Sequence, residues 1–112
     1  MTGGARGRCV AGSLVLALGA GTAWSADRAP DPEAGERKAR EVCARCHVIG
    51  EQNRYGGINS TPSFYIMQEK PETYQGKLLT VNERRPHIGI GLEMEPEALE
   101  DIWAYVETLK RP

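Results

Sequence analysis

Cys43-Ala44-Arg45-Cys46-His47 is the stretch on which the reading of this chain turns. Two thiols two residues apart, with a histidine directly after the second, form the C-x-x-C-H pattern. At that spacing both sulfurs can reach the two vinyl groups on one edge of a porphyrin and form thioether bonds. The adjoining imidazole is then carried over the porphyrin face, where a ring nitrogen can bind iron. A histidine several residues away would not be pinned there by the attachment itself. The pattern therefore predicts one covalent haem c, with Cys43 and Cys46 as the tethering residues and His47 as the proximal iron ligand.

Two other chemistries use a C-x-x-C pair. A redox dithiol of the thioredoxin kind sits after a strand in a βαβ unit, and no strand-like run precedes Cys43. A tetrahedral zinc site needs a second ligand pair. Only His87 and scattered carboxylates remain to supply one, because the third cysteine is Cys9.

The N-terminus points to an oxidising compartment. Arg6 and Arg8 form a short positive region, Val10 to Ala20 is apolar, and Gly21 to Ala26 is small and polar. That is the layout of a secretory signal peptide, and the apolar run is short for a membrane span. Cleavage is expected after Ser25, with Ala23 as the second choice, and an uncleaved N-terminal anchor is the competing reading. Cys9 precedes the apolar run, unlike a lipoprotein cysteine. Residues 1–25 are thus expected to be removed, leaving residues 26–112 as one periplasmic domain with no stable membrane insertion. Cys9 leaves with the signal, so no disulfide is expected.

Loss of Arg6 and Arg8 moves the formal charge from −1 to −3. Nothing in that balance suggests the basic face that nucleic acid would favour. A chain this short buries a modest core, and with Trp24 gone it keeps one Phe and one Trp. A large apolar cofactor at the centre would make up the shortfall.

Asp31-Pro32-Glu33 reads as a helix start: Asp as N-cap, Pro at the first helical position, Glu near the positive end of the dipole. That helix is predicted to run to about Val42, with Gly35, Ala39 and Val42 on one thin inner face. Gly35 would let a partner helix approach closely. Val48 to Thr61 reads as a Gly- and Asn-rich loop. Short helices are expected over Pro62–Gln68 and Glu72–Leu79. Val81–Glu95 reads as irregular. Leu99, Ile102, Trp103, Val106 and Leu109 recur at helical spacing and predict a closing helix over Pro96–Leu109.

With these pieces in place, the chain resembles a small class I cytochrome c with a single haem. The residues that carry the resemblance are Gly35 ahead of Cys43-Ala44-Arg45-Cys46-His47, the Thr61-Pro62-Ser63-Phe64 segment, and Leu99-Glu100-Asp101-Ile102-Trp103-Ala104-Tyr105-Val106. The resemblance covers about Asp31 to Leu109. It implies an all-α, cytochrome c-like fold in which the first and last helices cross near Gly35 and Tyr105 beside the haem edge. It also implies that the Pro62 carbonyl accepts a hydrogen bond from the second nitrogen of His47, fixing the ring. The implied role is one-electron transfer as iron cycles between ferric and ferrous states.

One departure stands out. The family's usual sixth ligand is a methionine, often followed by proline, shortly before the last helix. Here that stretch is His87-Ile88-Gly89-Ile90-Gly91-Leu92. Ile90 and Gly91 cannot bind iron. His87 on a pliable loop and Met94 just before the helix are the distal candidates; Met94 would otherwise staple against Leu99. Met67 reads as core. Methionine with histidine raises the reduction potential, bis-histidine ligation would lower it, and an open iron would bind small ligands. Arg84 and Arg85, with Lys77 and Arg54, could pair with haem propionates. Glu93, Glu95, Glu97 and Glu100 could face a basic partner, although acidic residues at a helix start also suit its dipole.

The expected function is that of a monomeric periplasmic electron carrier rather than an enzyme. Its partners would be redox proteins such as a periplasmic dehydrogenase or a membrane oxidase or reductase, met transiently. The alternative is a haem protein with open iron, acting as a small-ligand sensor or peroxidase-like enzyme.

Overall fold

The computed structural model describes residues 28–112 continuously, together with isolated positions 2–4, 7, 12, 13 and 19. Apart from those positions the expected signal segment, with Arg6, Arg8, Cys9 and the cleavage point after Ser25, lies outside the described residues. No helix among the described residues is long and apolar enough to cross a membrane. The described residues form helices and turns with no strand among them, so the fold is all-α.

Helix α1 spans Pro32–Val42. The Asp31 carboxylate accepts hydrogen bonds from the backbone N–H of Glu33 at 2.9 Å and of Ala34 at 3.3 Å. Both are donors that the helix itself cannot satisfy. Helix α2 spans Phe64–Glu69. It begins two residues later than the sequence suggests because Ser63 caps it, its hydroxyl accepting from Ile66 N–H at 3.3 Å. Helix α3 spans Pro71–Leu79 and α4 spans Pro96–Thr108. Leu109 caps α4 in extended conformation rather than continuing it.

Helix α1 lies across α4 with its small residues inward: Gly35 and Ala39 are both buried. A Cβ on Gly35 would collide with the carbonyl of Asp101, and would come within 2.8 Å of the Ile102 nitrogen. The close approach is therefore at Asp101–Ile102, one turn earlier than the Tyr105 position that the resemblance implies. Tyr105 serves instead to hold the loop after His47. Its hydroxyl donates to the buried Ile49 carbonyl at 2.7 Å and accepts from Gln52 Nε2 at 3.0 Å. Ile49, Phe64, Ile102 and Val106 are the largest fully buried side chains.

Asp101 is the one buried charge among the described residues. Its carboxylate accepts from Asp31 N–H at 2.8 Å and from Arg28 Nη2 at 2.8 Å. The start of α1 is thereby tied to the middle of α4. The Arg28 hydrogen bond, with the Asp31 N–H and the guanidinium charge, outweighs burial and holds the Asp101 carboxyl below its usual range. A carboxyl whose folded pKa is depressed stabilises fully above its unfolded value and loses that contribution as pH falls through the folded value. Asp101→Ala is expected to cost about 2 kcal/mol at pH 7. The figure is kept modest because Arg28 is half-exposed and its charge is screened. Denaturant melts across pH would show the gap to wild type closing below about pH 4; a gap independent of pH would contradict this account.

Candidate functional site

The end of α1 does not unwind at the cysteines. Cys43 N–H donates to Ala39 O at 2.8 Å, Cys46 N–H to Cys43 O at 3.1 Å, and His47 N–H to Cys43 O at 2.9 Å. One further helical turn thus carries Cys43, Cys46 and His47 on a common side, because residues three and four apart are neighbours on a helix. Both cysteines are half-buried free thiols. Burial, with the neighbouring Cys46, pushes the Cys43 thiol up to about 11. It is a protonated thiol at neutral pH, unlike the depressed thiolate of a redox dithiol.

Side chains from the loop then lock the turn. Asn53 Nδ2 donates to the His47 carbonyl at 2.8 Å, and Asn53 Oδ1 accepts from Ile49 N–H at 2.8 Å. The Thr61 hydroxyl lies 2.6 Å from the carbonyls of Cys46 and Ile58, and donates to one of them. Phe64 N–H donates to Val48 O at 2.8 Å. These bonds bring Pro62 alongside the histidine, and His47 Nδ1 donates to the Pro62 carbonyl at 2.7 Å. A carbonyl only accepts, so Nδ1 carries the hydrogen and Nε2 keeps its lone pair for a metal.

These residues border a cleft of about 1390 Å³. Phe64, Met67, Leu78, Met94, Leu99 and Ile102 give it an apolar wall, while Cys43, Cys46 and His47 lie along another part of its surface. Its volume exceeds the roughly 300–1,000 Å³ of sites for drug-sized ligands. Lys77, Arg84 and Arg85 also border it, whereas Arg54 does not. Arg54 pairs with Glu51 at 3.5 Å and lines a separate cleft of about 380 Å³. Glu93, Glu95, Glu97 and Glu100 are exposed, and Glu97 pairs with Arg28 at 3.6 Å.

Comparison of the chain with protein-family models, curated proteins and solved structures found no match. Function must be read from the geometry.

The structure brings both distal candidates to the cleft. His87 opens a 3-10 turn, His87–Ile90, after a cis Arg85–Pro86 peptide. Its ring centre is 6.2 Å from that of His47, with the two planes within 11° of parallel. Among the described residues, His87 Nδ1 is buried without a hydrogen-bond partner. The nearby Arg84 carbonyl bonds the N–H of Ile88 at 3.1 Å instead. Burial, then the neighbouring His47, hold the His87 imidazole below its ordinary pKa. Met94 is buried in the same core cluster as Leu99, and the two occupy the positions of a hydrophobic staple before α4. Met67 is likewise core. Ile90 is 72% exposed.

One contact had no signal in the sequence. The Asn82 side chain donates to Met94 O at 2.7 Å and accepts from Met94 N–H at 2.9 Å. This amide imitates a backbone pair and closes the neck of the loop that carries Arg84, Arg85 and His87. An isolated asparagine in an aperiodic stretch reads as turn chemistry, so nothing marked its distant partner.

Haem fits this residue set. The thiols of Cys43 and Cys46 could tether it, His47 Nε2 could bind its iron, and the apolar wall could cover the macrocycle. Lys77, Arg84 and Arg85 could meet its carboxylates.

Proposed function

We propose that this chain is an exported, monomeric one-electron carrier, folded as a small cytochrome c around one covalent haem c. The observation that carries the reading is the His47–Pro62 hydrogen bond of 2.7 Å beside a half-buried C-x-x-C pair on a large apolar cleft. The bond fixes the ring and its tautomer and raises the basicity of Nε2. Haem, when bound, supplies an iron that stores and releases one electron. Cys43 and Cys46 hold the group permanently, so it survives repeated encounters with partners. Phe64, Leu78, Leu99 and Ile102 exclude water from its face, which limits reorganisation around the changing charge. The mouth of the cleft leaves an edge from which an electron can pass to a transiently docked redox protein.

The test is the intact mass of the full-length chain expressed with the c-type maturation machinery. Residues 26–112 plus one haem are expected in the periplasmic fraction, with a visible spectrum that cycles reversibly on reduction and reoxidation. A secreted chain without added tetrapyrrole, in a host that loads another such protein, would refute the proposal. Avid carbon monoxide binding by the ferrous protein would favour the sensor or peroxidase-like alternative.

A further inference from the structure

We propose that His87 is the second axial ligand, giving the iron two histidines. The inference rests on the haem reading above and adds what that reading leaves open. Two imidazoles face one cleft, their ring centres 6.2 Å apart and their planes within 11° of parallel. Metal–imidazole bonds are about 2.0–2.1 Å, and each ring centre lies roughly 1.1 Å behind its nitrogen, so a shared metal places ring centres about 6.3 Å apart. The observed separation matches that requirement for two Nε2 atoms directed at one another.

The nitrogens agree with the ring positions. His47 Nδ1 is committed to Pro62, and His87 Nδ1 is enclosed by protein. In both rings Nε2 is the nitrogen left to meet a group in the cleft.

The competing sulfurs have other work. Met94 is 7% exposed within the core cluster that includes Leu99, and its backbone is clasped on both sides by Asn82. Moving its thioether to the iron would strip the packing at the start of α4. Met67 is 8% exposed in α2 and belongs to the same cluster. By contrast, the turn that carries His87 contributes no buried residue.

Full-length holoprotein, made with the maturation machinery, decides the matter through ferric spectra and electron paramagnetic resonance. Wild type is expected to be low-spin and six-coordinate, without the weak red band of sulfur-to-iron charge transfer. His87→Ala should keep its covalent haem by mass, turn high-spin, and return to low-spin when free imidazole is added. His87→Met should gain the sulfur band and a higher potential; it carries the same decision should the alanine variant accumulate poorly. Met94→Leu should leave the wild-type spectrum unchanged. A low-spin spectrum that survives His87→Ala, a sulfur band in wild type that Met94→Leu abolishes, or a high-spin wild type would each overturn the assignment while leaving the covalent haem in place. Absence of haem by mass would instead remove the underlying reading, and this inference with it.

Discussion

A Cys43→Ser/Cys46→Ser/His47→Ala chain is expected to be secreted without haem and with little of its helix. On the proposed reading, both tethers and the proximal nitrogen are then gone, and nothing in the polypeptide replaces what they would hold. Phe64, Met67, Leu78, Met94, Leu99 and Ile102 belong to the core and also border the cleft of about 1390 Å³. An unfilled apolar cavity costs about 24 cal/mol per Å³. A few hundred Å³ left open therefore cancels the ~5–15 kcal/mol that holds a typical small domain. Far-UV circular dichroism and a thermal melt read the outcome. A variant free of haem that still melts cooperatively with wild-type helix content would mean that the four helices support themselves, contrary to a cofactor-centred core.

Gly35→Ala is the second large effect, and its sign is decided by two opposed terms. In an exposed helix interior, alanine would stabilise by about 1 kcal/mol relative to glycine. Here the added Cβ meets the Asp101 carbonyl carbon and oxygen, backbone atoms with no rotamer to escape into. Overpacking costs about 1–3 kcal/mol or more, and a rigid neighbour puts this site at the upper end. A net loss of about 2 kcal/mol is expected, and Gly35→Val should lose more. Chemical denaturation of the holoprotein measures it; a stabilised Gly35→Ala would show that α1 and α4 can part without cost.

Features written in local chemistry were legible in the chain. Asp31-Pro32-Glu33 marks the start of α1 because cap, fixed φ and dipole act within one turn, and the observed helix is Pro32–Val42 as read. The apolar spacing of Leu99, Ile102 and Val106 marks α4, with the end one residue short because Leu109 turns extended. Gly35 announced a close crossing, but not where on α4 it falls: a gap for a backbone says nothing of which backbone fills it. Less legible were the bonds between distant side chains and backbone. Asn53, Thr61 and Asn82 act around the cleft with no periodicity, and no pattern in the chain joins Asp101 to Asp31 and Arg28. The chain alone favours His87 only slightly over Met94 and keeps an open iron as a third option, because ring separation and burial are properties of three dimensions alone.

The asparagine that grips Met94 from both sides has an evolutionary corollary. The clasp closes the neck of the stretch between residues 82 and 94 just before α4 begins, so exchanges within that stretch need not propagate into α4. A lineage could swap the donor atom presented to the cleft, and so retune its electrochemistry, by editing one short cassette while the rest of the scaffold stayed as it is.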